Sequence, residues 1–263
     1  MIDLHTHVLP GIDDGPPDLE GSLAFVRAAH RGGTRTLVAT PHVSTSYRNT
    51  SALIAERVEE INDAIAREGL DVRVVAGAEI AASRVADLDP DELRALSLGD
   101  GPWLLIECPL SPRATGFDAV VLYLRDAGHR IVLAHPERCP AFQKDPGALR
   151  SLVAAGMLTS VTAGSLAGGF GREAARCARL LAEEGILHNV VSDAHDAVKR
   201  PPELRPQLLQ AGLGGLSEWL VEQVPAAILA GEEVPPSPAA TIGAEAPPRR
   251  SRAWWRRRRV TQR

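Results

Sequence analysis

Short runs of apolar and β-branched residues recur seven times along the chain, at Met1 to Leu4, Thr36 to Ala39, Val72 to Ala76, Trp103 to Ile106, Arg130 to Ala134, Leu158 to Thr162 and Asn189 to Val191. Runs of this length, bounded by polar and turn residues, read as strands. Stretches with helical spacing lie between most of them. The clearest is Ser51 to Glu68, where Leu53, Ile54, Val58, Ile61 and Ile65 form one apolar stripe, Ser51 is the expected N-cap and Gly69 the stop. Asp118 to Gly128, Pro146 to Gly156 and Arg172 to Gly185 repeat the pattern, each ending at glycine. Strand alternating with helix predicts a parallel sheet covered by helices, and seven such units predict a closed or nearly closed α/β barrel.

Polar residues then fall at the ends of these runs. In order they are His5 and His7 in HTH, Asp13 and Asp14, His42 in ATPH, Glu79 in AGAE, Glu107 in LLIE, His135 in AHPER, and Asp193 with His195 in SDAH. On an extended strand, residues i and i+2 share a face, so His5 and His7 can offer two imidazole nitrogens to one ion. In a parallel barrel all strand C-termini open on one rim, which brings these groups together although nearly 200 residues separate the first from the last. Taken singly, His42 reads as a turn residue, Glu79 and Glu107 as solvated strand ends, and His135 as a helix cap. Taken together they are a cluster of carboxylates that repel one another unless cations supply charge. Imidazole and carboxylate donors without thiolate point to Mn²⁺, Zn²⁺ or Fe, with Mg²⁺ also open, and the donors outnumber one ion's needs, so two or three ions are expected. His30, His129 and His188 lie on or beside elements away from this rim and are read as structural.

At 263 residues, with 44% hydrophobic and 24% charged, the chain suffices for one large domain. No apolar run approaches the roughly 18 residues of a membrane span, and no secretion signal is visible. Cys108, Cys139 and Cys177 are widely spaced and form no CxxC pair, which fits a reducing cytoplasm better than a disulfide framework. The net charge of −4 hides a split. Residues 249–263 carry eight of the 29 Lys and Arg and no acid, which leaves 21 basic against 33 acidic residues in the rest. Residues 234–248 are rich in Pro and Ala and read as a linker between acidic body and basic tail.

HTH with DDG, TPH, GAE, the strand-end Glu107, AHPER, and SDAH followed by Arg200-Pro201-Pro202 resemble, in order and spacing, the PHP (polymerase and histidinol phosphatase) superfamily. Within it they are similar to the bacterial manganese-dependent protein-tyrosine phosphatases of the CpsB, CapC and YwqE type, associated with capsule and exopolysaccharide synthesis. The resemblance implies a distorted (β/α)7 barrel of the PHP type over residues 1–233, followed by a disordered tail. It makes His5, His7, Glu79 and Asp193 ligands of one metal, Glu79, Glu107 and His135 ligands of a second, and Asp14, His42 and His195 ligands of a third, with Arg138 binding phosphate. Asp14 and Glu107 are acidic where many superfamily members carry histidine, which favours the tyrosine-phosphatase branch. The implied reaction is attack of a metal-bridging hydroxide on phosphorus, without a phosphoenzyme. None of the cysteines begins a C-x₅-R loop: Ala114, Asp145 and Glu183 stand six residues on.

The implied partner is a phosphotyrosine-bearing bacterial tyrosine kinase. Relatives often assemble through the first helix, where Glu20, Arg27 and Arg31 sit, so a homo-oligomer is a further implication. A phosphoesterase of the same fold, acting on a small monoester such as histidinol phosphate or on a nucleic-acid end, stays open at this point. The acidic body disfavours nucleic acid. A binding module driven by the tail is the non-enzymatic alternative, and nine intact ligand-type residues count against it. Two departures from the family pattern, a short segment after His42 and Val224-Pro225 in place of Asn-Pro, bear on substrate choice. The tail, with Trp254 and Trp255 among arginines, is suited to weak contact with an anionic membrane surface.

Overall fold

The computed structural model describes residues 1–99, 101–111 and 115–238. The basic tail at residues 249–263, and most of the linker before it, lie outside the described residues.

Among the described residues, nine strands and ten α-helices follow one another. The order is β1 (Ile2–Thr6), α1 (Leu19–Arg31), β2 (Thr36–Ala39), β3 (His42–Val43), α2 (Ser51–Glu68), β4 (Arg73–Ala76), β5 (Glu79–Ala81), α3 (Pro90–Ala95), β6 (Trp103–Glu107) and α4 (Phe117–Asp126). There follow β7 (Arg130–Ala134), α5 (Pro140–Lys144), α6 (Pro146–Ala154), β8 (Leu158–Thr162), α7 (Ala163–Leu166), α8 (Arg172–Glu183), β9 (Asn189–Val191), α9 (Arg205–Gln210) and α10 (Val224–Ala230). The strands form a three-stranded sheet, β1-β2-β4, and a six-stranded one, β3-β5-β6-β7-β8-β9, and every strand pair is parallel.

Nine strands nevertheless make seven staves, because two staves are broken part-way. Thr36 pairs with Arg73 below the break and His42 with Glu79 above it, so the register between the two staves is the same on both sides. The physical reasons for the breaks are local. Pro41 has no N–H to give a ladder. At Gly77 a Cβ would stand 3.0 Å from both Leu98 Cδ2 and Val38 Cγ1, so the backbone there presses closer to its neighbours than a side chain allows. Thr40 N donates to Thr6 O at 2.8 Å, and Glu79 N to Pro41 O at 3.1 Å, so pairing resumes immediately.

The ring closes between β1 and β9. His7 N donates to Ala194 O at 2.9 Å and Asp193 N to His5 O at 3.1 Å, with a parallel bridge between Thr6 and Ala194. Below this, the buried Asp3 accepts from Ser192 N at 3.1 Å, and burial pushes its carboxyl up to about 7. The strands read as continuous apolar runs because both faces are covered: Leu104, Leu105 and Ile106 are all fully buried.

Helix α2 buries Ile54, Ile61, Ala64 and Ile65 and ends at Gly69 in the left-handed region at φ 65. Its N-cap is Thr50, not the expected Ser51. The Thr50 side chain accepts from Leu53 N, and the Ser51 hydroxyl donates instead to Glu92 Oε2 at 2.7 Å. After α10 the chain turns under the barrel. Arg130 donates to Glu232 O at 3.1 Å and Trp219 Nε1 to Pro235 O at 3.0 Å, and Glu233 and Val234 line a recess with Trp103, Arg130 and Leu158 at the first residues of β6, β7 and β8. Among the described residues, no helix is long and apolar enough to cross a membrane.

Candidate metal centre

The nine ligand-type residues all come to the C-terminal rim. His5 is within β1 and His7 one residue past its end; Asp14 is in the following loop; His42 and Glu79 are the first residues of the resumed staves β3 and β5. Glu107 ends β6, His135 follows β7, and Asp193 and His195 follow β9. His135 (φ 35) and Asp193 (φ 50) are the two described non-glycine residues with positive φ, a costly conformation kept here by surrounding hydrogen bonds. His135 N donates to Ser160 O at 2.8 Å and accepts in turn, through its carbonyl, from Arg138 N at 2.9 Å.

Side-chain donor atoms converge tightly. His5 Nε2 and His7 Nε2 approach to 3.3 Å, and Asp193 Oδ1 stands 3.7 Å from the first and 3.5 Å from the second. Glu79 Oε2 lies 3.4 Å from His5 Nε2, 3.6 Å from His7 Nε2 and 3.0 Å from His42 Nδ1, while Glu79 Oε1 accepts from His135 Nε2 at 2.8 Å. Asp14 Oδ1 is 3.3 Å from His195 Nε2 and 3.5 Å from His42 Nε2. Among the described residues, three groupings suit a cation: His5, His7 and Asp193; His42, Glu79 and Glu107; and His7, Asp14, His42 and His195. Relative to the partition that the resemblance implies, His7 and His42 are each shared between two groups, Glu79 groups with His42 and Glu107 and not with His5, His7 and Asp193, and His135 contacts Glu79 without joining a group.

The donor set fits metal ions. Separations of 3.3 to 3.7 Å are those of neighbouring ligand atoms around one ion with bonds of about 2.0–2.2 Å. All donors are imidazole nitrogen or carboxylate oxygen, which suits borderline or hard divalent ions.

Charge in the cluster is finely opposed. Burial raises the Glu107 carboxyl, reinforced by Glu79, and lowers the His5 imidazole. Elsewhere partners outweigh burial. Asp13 and Asp193 push His7 up to about 10, and Glu79 raises His42 and His135. Against burial, His5, His135 and His42 hold Glu79 well below the usual carboxylate range, and His5, His7 and His135 do the same for Asp193. The hydrogen bond from His195 lowers Asp14.

Around these groups stand Arg138 and three residues to which the sequence alone assigns no role, Asp13, Glu137 and Arg200. Asp13 Oδ2 accepts from His7 Nδ1 at 2.7 Å and from His42 N at 3.2 Å, which fixes the ring whose Nε2 faces the cluster. Arg138 and Arg200 both donate to Asp193 Oδ2, at 2.5 and 2.7 Å, from opposite sides of the motif sequence. Glu137 is fully buried and accepts from Thr162 N at 3.1 Å and Ser165 Oγ at 2.6 Å, tying the 3₁₀ turn that carries Arg138 to the end of β8. The signals were present: Asp13 is the first acid of DDG, Glu137 the acid of HPER, and Arg200 follows SDAH by five residues. The cleft above the cluster, about 130 Å³, is lined by Asp14, His42, Glu107, Arg138 and Arg200 with Leu110 at its edge.

Residues 1–210 match the family model for capsular polysaccharide synthesis proteins CpsB/CapC. The chain belongs to the CpsB/CapC family. Over 201 residues it is 36% identical to the tyrosine-protein phosphatase YwqE of Bacillus subtilis, covering 76% of this chain and 79% of that protein. It is 29% identical over 212 residues to the tyrosine-protein phosphatase CpsB of Streptococcus pneumoniae, covering 78% and 87%. A solved structure, described as one of YwqE and CpsB as unique metal-dependent tyrosine phosphatases, superposes with a TM-score of 0.79 at 32% identity, covering 90% of this chain and 98% of that one. The barrel of this CpsB/CapC member is therefore the family's, and the rim cluster lies within the matched residues.

Proposed function

We propose that this chain is a metal-dependent protein-tyrosine phosphatase acting on phosphotyrosine of a bacterial tyrosine kinase in capsule or exopolysaccharide synthesis. The observation that carries the reading is the pair of guanidiniums, Arg138 and Arg200, poised over a buried cluster of imidazoles and carboxylates. Family membership and the names of the relatives support the substrate class. His5, His7, Asp14, His42, Glu79, Glu107, His135, Asp193 and His195 would hold two or three ions, Mn²⁺ first among them. When bound, such ions supply positive charge and an acidified water.

The remaining chemistry belongs to side chains. Arg138 and Arg200 rest on one oxygen of Asp193, and phosphoryl oxygens entering the cleft offer the same two guanidiniums charge-assisted hydrogen bonds. Those bonds strengthen as charge develops on the non-bridging oxygens. Asp13 and Glu137 hold His7 and the Arg138 turn in place. A phenoxide leaves more readily than an alkoxide, so no side chain is assigned to protonate it. Cys108, Cys139 and Cys177 are buried, and burial pushes each thiol up, so none of them is an exposed thiolate nucleophile.

In this reading residues 1–233 are the catalytic unit, working in the cytoplasm, residues 234–248 link it to the basic tail, and residues 249–263 give weak contact with anionic membrane. Liposome co-sedimentation of the full chain against a truncation ending at Pro248 tests the tail; equal binding removes that role. Assembly through α1 has less support, because Arg27 is already held within the chain by Glu20 and Glu68.

Metal-stripped and Mn²⁺-loaded protein assayed on phosphotyrosine peptides, histidinol phosphate and a nuclease substrate tests the main reading. Expected are a preference for phosphotyrosine, loss with chelator, and a drop of about a hundredfold to a thousandfold for Arg138→Ala, on the order of the loss of one preorganised donor. Phosphotyrosine turnover no higher than that of His135→Ala overturns it.

A further inference from the structure

The loop between α7 and α8 carries an aromatic ring that the core does not use. Phe170 is 37% exposed and stands outside the cluster of buried apolar residues. Its position is nonetheless built. A Cβ on Gly164 would lie 2.9 Å from Phe170 Cε2, so the ring rests directly on a glycine of α7, and Gly169 N donates to Gly164 O at 2.8 Å. Gly168 and Gly171 flank it in the left-handed region, at φ 89 and 91.

What the ring touches is the phosphate-binding pair. The Arg138 guanidinium carbon lies 4.3 Å from the ring centroid and that of Arg200 5.8 Å, so one aromatic ring meets both cations. The cleft beneath is small and lined mainly by charged side chains, which accommodates a phosphoryl group and leaves the rest of a substrate at the mouth. Leu110, 47% exposed, is the apolar residue in that lining, and Phe170 packs against the two arginines that line the cleft. A partly exposed ring held rigidly beside a charged cleft matches a ligand that is itself charged at one end and flat and apolar at the other.

We infer that Phe170 is a specificity-determining residue: its exposed ring surface forms the wall against which the aryl group of an aryl phosphate packs while Arg138 and Arg200 hold the phosphoryl end. Edge-to-face or offset stacking gives an aryl group a contact that a flexible alkyl chain lacks. The preference for aryl over alkyl phosphate monoesters thus resides in one side chain next to the arginines. This inference rests on the phosphatase reading above.

The test compares Phe170→Ala, Phe170→Leu and Phe170→Tyr in the full-length, metal-loaded protein, with Tyr123→Ala as an exposed aromatic on the outer face of α4. Two quantities are read: the ratio of kcat/KM for a phosphotyrosine peptide to that for the matching phosphoserine peptide, and the ratio of affinities for phenylphosphonate and inorganic phosphate by calorimetry. Expected for Ala and Leu is a fall of both ratios by about tenfold, with the effect in KM, restored by Tyr and absent in Tyr123→Ala. Equal losses on both members of each pair leave the ratios unchanged, mean that Phe170 only steadies the arginines, and overturn the inference. Should the wild type turn over no phosphate ester, the phosphatase reading fails, and the phenylphosphonate-to-phosphate ratio still decides for or against Phe170. Near-identical far-ultraviolet spectra and melting of Phe170→Leu guard against misfolding.

Discussion

The two ring nitrogens of His7 face different partners, and that division is what makes it useful: Nδ1 points at Asp13 and Nε2 into the cluster. Asp13→Asn keeps the shape and removes the charge that orients and polarises the ring, so metal affinity should fall by tenfold to a hundredfold, read by competition with a chelating dye. Affinity within a factor of two of wild type would show that Asp13 is dispensable. His188, far from the rim, gives the cleanest pH signal. It accepts from Thr159 N at 3.1 Å, and burial pushes it down to about 4 from its ordinary 6.5. The unfolded chain therefore takes up the proton first, so the stability owed to neutral His188 is whole above about pH 6.5 and is lost as pH falls towards 4. Between pH 7 and 4.5 this amounts to about 2 kcal/mol, and His188→Asn, which accepts without titrating, should lack that loss in urea unfolding. The rim residues were legible in the sequence because all but Asp14, which sits in the loop after β1, lie at or just past the end of an apolar run. Asp13, Glu137 and Arg200 were not, since nothing in local spacing separates an acid that orients a ligand from one that is a ligand, or ranks two arginines sixty residues apart as partners.

Seven staves were readable from seven apolar runs, and helix from strand by period. The breaks that split two of those staves were not, because β3 and β5 are two and three residues long and have no period to show. Yet the breaks are where His42 and Glu79 start. Gly77 makes the second of them possible by letting β4 turn against Val38 and Leu98. Gly77→Val forces both neighbours aside and should cost about 2 kcal/mol in urea unfolding, with weaker metal binding because Glu79 sits two residues on. A stable variant with wild-type affinity would show that the strand can break without glycine. The misplaced N-cap of α2 has a related origin: Thr50 and Ser51 are equally good caps by type, and the choice falls to Glu92, 41 residues away, which claims the Ser51 hydroxyl and amide.

For the whole barrel, the rim gathers four ligand-type carboxylates on a body already rich in acid, so bound cations should stabilise the fold and not only activate it. With metal at about a hundredfold above its dissociation constant, the gain is about 2.7 kcal/mol, and chelation should lower the melting temperature by roughly 5–10 °C. Melting that ignores chelator would show that the cluster tolerates its own charge. The opposite end of the molecule has a different consequence. Residues 231–234 lie against the first residues of β6, β7 and β8, so the chain leaves from the floor of the barrel, a strand length of about 17 Å beneath the rim cluster. Anything that grips the chain from residue 239 onward holds it by the underside. An anchored enzyme would then look outward, its mouth free to meet a tyrosine-bearing segment presented by another molecule.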